Sequence, residues 1–171
     1  MRLGGSRLLA WLVDLACVLG WVALTAAVGV PLYLAHVIRP TNVVVLSVVG
    51  ALVIVMPVVL ALAWCESRRE AATVGKRVMK LVVRANARSP RLTVAIARNT
   101  LKIGVPWLIG HAAVFTIVRA SGDDGVPVGV WALTVCAYVL PLAWIFSLFV
   151  GRGRTPYDWA CGTEVTRRSA G

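Results

Sequence analysis

Acidic residues are scarce in this sequence. Seven Asp and Glu residues stand against eighteen Lys and Arg residues, and the formal net charge at pH 7 is +11. A strongly basic balance is one signature of nucleic-acid-binding proteins. The basic residues are nevertheless confined to a few segments, and long stretches between them carry no charge. We therefore expect no nucleic-acid partner and look for another reason for the charge.

Residue patterns that support metal binding or covalent catalysis are also lacking. The four cysteines are Cys17, Cys65, Cys136 and Cys161. They form no CxxC pair and no two are close in sequence, so neither a disulfide framework nor a zinc site is predicted. Gly75-Lys76 is not a phosphate-binding loop, because no Ser or Thr follows the lysine. His36 and His111 are too far apart to suggest a metal pair. We expect no enzymatic activity, no cofactor and no metal.

Polar residues are few as well. Hydrophobic residues make up 59% of the chain and the mean hydropathy is +0.82, whereas soluble domains are about 45–50% apolar. Four stretches reach the roughly 20 residues that a membrane-spanning helix needs. They cover about residues 8–35, 43–64, 101–119 and 126–150. Because backbone groups in lipid must be paired internally, the sequence predicts an all-α, polytopic membrane protein with four transmembrane helices in a single domain, residues 1–171. The first stretch is longer than the 7–15 residues of a signal-peptide core.

The basic residues indicate how these helices are oriented. All of them except Arg39 and Arg119 fall on one side of a four-span arrangement, and the positive-inside rule assigns that side to the cytosol. The loops on the other side are short, which requires neighbouring helices to be antiparallel. The sequence therefore predicts two helical hairpins joined by a cytosolic segment, residues 65–102, with both the N and the C terminus in the cytosol. Pro57 and Pro141 lie inside two of the spans and predict kinks there.

The joining segment, residues 65–102, is rich in basic residues. Apolar residues between positions 74 and 82 recur at helical spacing, and Lys76, Lys80 and Arg84 form an i, i+4, i+8 row. This pattern predicts a basic amphipathic helix at the headgroup level, with Lys76, Arg77, Lys80 and Arg84 facing anionic lipid headgroups. The alternative is a solvated basic loop that serves only to fix the topology.

Asp14 is the most informative single residue. It lies about two turns into the first span, where an aspartate costs about 2.5–3.5 kcal/mol on insertion scales. It must therefore face protein or water and have a partner. Arg7 is on the same helix face, about 10 Å away along the axis.

Asp158 follows the last span, at the same predicted membrane face as Arg7. Arg98 and Lys102 are expected nearby. We therefore predict that Arg7, Asp14, Asp158 and Arg98 converge there. Such a cluster either exchanges a proton or small cation or holds the helices in place as a set of ion pairs.

This order of residues resembles the RDD family of membrane proteins, which is named for one arginine and two aspartates. Arg7 and Asp14 match the arginine and first aspartate in the first helix, and Asp158 matches the second aspartate. Thr73-Val74-Gly75-Lys76-Arg77 matches the family's cytosolic stretch, and Arg98 matches its later arginine. Family members often have His where Tyr157 stands. The resemblance implies a location in a bacterial cell membrane and transport of an unknown ligand, in some members by sodium/proton antiport.

Two functional hypotheses follow. The first is a small transport protein for a monovalent cation, a proton or another small ligand, with Asp14 as the exchanging group, which implies a homo-oligomer because four spans make a small carrier. The second is a scaffold or accessory subunit that does not transport and whose basic cytosolic face binds anionic lipid or an acidic partner.

Overall fold

The computed structural model of the protein describes residues 3–38, 43–120, 127–150 and 153–168. Helices dominate these residues, and four of them are long and apolar enough to cross a membrane. These four are Leu3–Leu34, Val44–Ser67, Leu92–Ile117 and Val128–Ser147. The prediction of four helices of membrane-spanning length and hydropathy is confirmed. The third begins at Leu92 rather than near residue 101, because polar side chains in its first turns are paired with protein groups.

The elements in chain order are α1 (Leu3–Leu34), α2 (Val43–Gly50), α3 (Met56–Ser67), α4 (Val74–Val78), β1 (Leu81–Arg84), α5 (Leu92–Asn99), α6 (Val105–Ala120), α7 (Val128–Ser147), α8 (Pro156–Ala160) and β2 (Glu164–Arg167). Helices α2 and α3 are joined by a π-helical segment, Ala51–Val55, and form the second span. Helices α5 and α6 are joined in the same way by Thr100–Gly104 and form the third span.

Pro57 follows the first π-helical segment. Proline has no N–H, so the carbonyl of Val53, four residues earlier, cannot accept the usual α-helical hydrogen bond. The indole Nε1–H of Trp21 in α1 donates to this carbonyl at 3.0 Å. A neighbouring helix therefore supplies the hydrogen bond that the proline removes, as backbone groups at membrane depth require.

The segment between the second and third spans does not form one amphipathic helix, so that prediction is wrong. Helix α4 ends at Val78, Lys80 adopts a left-handed conformation with φ of 54°, and the chain continues as strand β1. Strand β1 pairs antiparallel with β2. The run Leu81–Val83 suits a strand because branched side chains fit a pleated, half-buried surface.

The two strands, together with α4, cover the first turns of α1. Ala10, Leu81, Val83 and Val165 form the buried core of this layer. The described residues are therefore mostly helical but not all-α as predicted. The layer brings together the start of α1, the chain after the second span and the chain after the fourth span at one end of the helical bundle.

Candidate functional site: a buried charge network

Arg7 and Asp14 of α1 are both buried at this end of the bundle. The Arg7 guanidinium donates to the Asp158 carboxylate and to the backbone carbonyl of Gly153. Among the described residues, no hydrogen bond or ion pair joins Arg7 to Asp14, which agrees with their axial separation of about 10 Å. The predicted convergence is therefore correct in place, but the two residues have different partners.

Asp14 is held by the start of α4. The Thr73 hydroxyl donates to Asp14 Oδ2 at 2.6 Å, and the Gly75 backbone N–H donates to Asp14 Oδ1 at 2.8 Å. Backbone N–H groups in the first turn of a helix have no acceptor within that helix. The carboxylate therefore caps α4 from the neighbouring helix, and its negative charge is favourable at the positive end of the helix dipole.

Gly75 also sets the distance between α4 and α1. A Cβ added to Gly75 would overlap the backbone carbonyl of Ala10. Glycine is the residue that allows such a close approach of two backbones. In the stretch Thr73–Arg77 the threonine and the glycine thus share one task, which is to hold the Asp14 carboxylate.

Glu66, at the end of α3, is a member of the network that the sequence analysis missed. It is fully buried and accepts hydrogen bonds from Arg98 Nη1 at 2.7 and 2.9 Å, Lys76 Nζ at 2.7 Å and Asn99 Nδ2 at 2.9 Å. Its place in the sequence, at the end of an apolar span and next to a basic segment, would have indicated Glu66, because buried charges need partners.

Asp158 joins the two arginines. Its Oδ1 accepts from Nε and Nη2 of Arg98, both at 2.8 Å, while Oδ2 accepts from Arg7. Thr155 and Asp158 form a capping box at the start of α8, which fixes the carboxylate locally. Burial opposes the charge of Asp158, but the attraction of Arg98 and Arg7 outweighs it, so the pKa of Asp158 lies below its ordinary value of 3.8.

The predicted lipid-headgroup face is only partly present. Lys76 is 6% exposed and pairs with Glu66, so its assignment to an exposed basic face is wrong. Burial lowers the pKa of Lys76 against the attraction of Glu66. Arg77 and Lys80 are exposed and Arg84 is half-buried. Arg77 pairs with Glu70 at 2.8 Å.

A cavity of about 270 Å³ lies beside the network, between the spans. Asp14 and Lys102 are the charged residues in its wall. The remaining wall consists of apolar and aromatic side chains, including those of Trp11, Trp144 and Tyr157. A second cavity of about 30 Å³ is lined by Arg7, Asp14, Lys76, Arg98 and Lys102, among others. The network is therefore not sealed from the space between the helices.

Tyr157 stands where members of the family that the sequence resembles often have His, and its ring contacts an arginine and a tryptophan. The Arg98 guanidinium lies 5.3 Å from the centre of the Tyr157 ring, and the Trp144 ring meets Tyr157 edge to face at 5.4 Å between ring centres. These contacts are cation–π and aromatic pairs, neither of which needs a titrating group.

The residues of the network lie in a region that matches a known protein family. Curated proteins and solved structures give no match. The family model described as the RDD family matches residues 3–162. This range contains Arg7, Asp14, Arg98 and Asp158, the residues on which the resemblance was based. The chain belongs to the RDD family.

Proposed function

We propose that the protein transports a small ligand across the cell membrane and that the 270 Å³ cavity is the ligand's binding site. The observation that carries the proposal is the placement of Asp14 and Lys102 in the otherwise apolar wall of that cavity. Ionisable residues at membrane depth are costly and usually face a ligand or ion path. Largely apolar cavities with a few polar groups are the common form of small-ligand sites.

Asp14 is the exchanging group in this proposal. Both of its oxygens already accept a hydrogen bond, from Thr73 and from Gly75. A monovalent cation would need several oxygen ligands, and Asp14 is the only carboxylate among the lining residues of the cavity, whereas a proton needs only one oxygen. The geometry therefore favours a proton over a metal cation as the species that Asp14 exchanges.

The test is purified protein in liposomes, assayed for proton and sodium flux under imposed gradients. Asp14→Asn keeps the size of the side chain but removes its charge, and we expect it to abolish flux while protein yield and the size-exclusion profile stay unchanged. Glu70→Gln is the matched control, because Glu70 is a carboxylate whose side chain is 47% exposed. Normal flux from Asp14→Asn would overturn the assignment.

A second candidate function rests on a different observation. Arg77, Lys80 and the neighbouring basic residues leave positive charge exposed at one end of the bundle. A scaffold that binds anionic headgroups would gain about 1 kcal/mol per well-placed basic residue. The triple change Arg77→Gln, Lys80→Gln and Arg84→Gln, with Lys76 retained, should then reduce enrichment of labelled phosphatidylglycerol around the protein in mixed nanodiscs. Unchanged enrichment would rule this function out.

The orientation that we propose rests on the basic residues at one end of the bundle. By the positive-inside rule this end, with both chain termini, faces the cytosol. For single cysteines introduced in place of Arg168 or Val37, we expect a membrane-impermeant thiol label to react at position 168 from the cytosolic side and at position 37 from the opposite side. We also expect a homo-oligomer in native nanodiscs, which mass photometry would detect.

A further inference from the structure

We propose that the cavity binds a monoanionic amphiphile of roughly ten non-hydrogen atoms, a carboxylate carried on an apolar body, and that Lys102 receives the carboxylate. The inference shares its site with the proposed function but does not require transport. It rests on the charge balance of the network, on the way the two cavities adjoin, and on the size of the larger one.

Among the described residues, no anion is paired directly with Lys102, although Glu66, Asp14 and Asp158 attract it at longer range. The network contains the cations Arg7, Lys76, Arg98 and Lys102 and the anions Asp14, Glu66 and Asp158. Glu66 and Asp158 accept from the other three cations, and Asp14 accepts from Thr73 and Gly75. Within the described part of the chain, Lys102 donates no hydrogen bond and forms no ion pair. One positive charge is therefore in excess, on a half-buried side chain at membrane depth.

The two cavities meet at this residue. Trp11, Asp14, Lys102 and Tyr157 line both of them. The smaller cavity adds Arg7, Lys76 and Arg98 to its wall. A carboxylate placed at the junction would face four cations and one aspartate whose two oxygens are already occupied by donors. It would bring the net charge of the network to zero, whereas a cation would increase the excess, which is unfavourable for buried charges.

The larger cavity sets the size of the bound molecule. An apolar cavity of about 150 Å³ holds benzene, so about 270 Å³ accommodates roughly ten non-hydrogen atoms. A phospholipid with two acyl chains is far larger. The bound molecule would lie with its carboxylate at the charged end of the bundle and its apolar body between α1, α6 and α7, as amphipathic groups arrange themselves at a membrane boundary.

Octanoate, octylammonium and octanol are suitable probes, since they share a chain length and differ in charge. Each is titrated into the full-length protein in nanodiscs, and binding to empty nanodiscs is subtracted. We expect saturable binding of one octanoate per chain and no saturable binding of octylammonium. Octanol should bind about tenfold or more weakly than octanoate, because it lacks the charge that pairs with the ammonium group. Octylammonium or octanol binding as tightly as octanoate would overturn the proposal.

Variants locate the site. Lys102→Met keeps the length of the side chain and should weaken octanoate binding about tenfold or more, whereas Lys102→Arg keeps the charge and should retain it. Lys80→Met makes the same change on an exposed lysine outside the cavity and should have no effect. Unchanged affinity in a folded Lys102→Met would overturn the proposal. If that variant does not fold, the comparison of the three probes on the unmodified protein decides alone.

The two proposals fail separately. Octanoate binding with no flux in liposomes would leave the site and remove the transport function. Proton flux that Asp14→Asn abolishes, with no octanoate binding, would leave transport and remove the anion site.

Discussion

The backbone N–H of Gly75 donates a 2.8 Å hydrogen bond to the carboxylate of Asp14, across the interface between α4 and α1. The same glycine lies so close to α1 that a Cβ would overlap the carbonyl of Ala10. An aspartate in a candidate membrane span and a glycine sixty-one residues later in the chain are thus parts of one structural unit. The cost of placing Asp14 in the span is offset by donors that only a closely packed α4 provides.

Gly75→Ala should destabilise this unit. The new methyl group forces α4 away from Ala10, which costs about 1–3 kcal/mol as overpacking does elsewhere, and it lengthens the bond to Asp14. Thermal unfolding in detergent should show a clear decrease in Tm. Gly20→Ala is the matched control, since a Cβ there meets nothing within 4 Å. Equal Tm values for the two variants would contradict the role assigned to Gly75.

Thr73 provides the second donor to Asp14, and its hydroxyl can be tested separately from its shape. Thr73→Val keeps the branched side chain but removes the 2.6 Å bond to Oδ2, leaving a buried acceptor with one donor fewer. We expect a loss of about 1–3 kcal/mol in the free energy of unfolding. Thr73→Ser retains the hydroxyl and should recover most of it. A serine variant as unstable as the valine variant would assign the effect to packing instead.

The sequence predicted the helices because their signal is local. A span of roughly 20 apolar residues has few alternatives in lipid, and Asp14 and Arg7 stand out against such a background. The charged convergence of Arg7, Asp14, Asp158 and Arg98 was also predictable, because the predicted order of spans and loops puts all four at one end of the bundle.

The small sheet and the role of Glu66 were not predicted, since both depend on contacts between distant segments. Strand β1 had helical spacing in its own sequence and became a strand by pairing with β2, which follows the last span. In the sequence, Lys76 fits an exposed basic row just as well as a buried ion pair. Only the position of Glu66 in the folded protein shows that Lys76 is buried. The family pattern pointed to Arg7, Asp14, Asp158 and Arg98 but gave no reason to choose Glu66.

Glu66→Gln should be among the most destabilising single changes at this end of the protein. It leaves Lys76, which is 6% exposed, with a neutral partner and leaves Arg98 with Asp158 as its remaining anion, and breaking buried ion pairs costs about 3–5 kcal/mol. Adding Lys76→Met removes one of the uncompensated charges. The double variant should therefore be more stable than the sum of the two single changes implies. Strict additivity of the measured unfolding free energies would argue against a direct Glu66–Lys76 interaction.

The stability that Asp158 provides should depend on pH in the acid range. Its pKa in the folded protein lies below the ordinary value of 3.8 because of Arg98 and Arg7. The unfolded chain therefore takes up the proton first as pH falls, and the contribution of Asp158 is fully present above pH 3.8 and is lost as pH falls through the folded pKa. The Tm difference between the unmodified protein and Asp158→Asn should be constant near neutral pH and shrink below about pH 4. A difference that grows on acidification would reverse the assigned direction of the pKa shift.

Trp21 and Pro57 should be coupled through the carbonyl of Val53. Trp21→Phe removes the 3.0 Å bond from the indole N–H to that carbonyl, at a cost of about 0.6 kcal/mol, the average for hydrogen bonds between membrane helices. Pro57→Ala restores a backbone N–H four residues after Val53, so that the helix can satisfy the carbonyl itself. Trp21→Phe should then have a smaller effect in the Pro57→Ala background than in the unmodified protein. Measurement of all four proteins in one detergent gives the coupling energy directly, and a coupling of zero would mean that the tryptophan does not replace the bond that the proline removes.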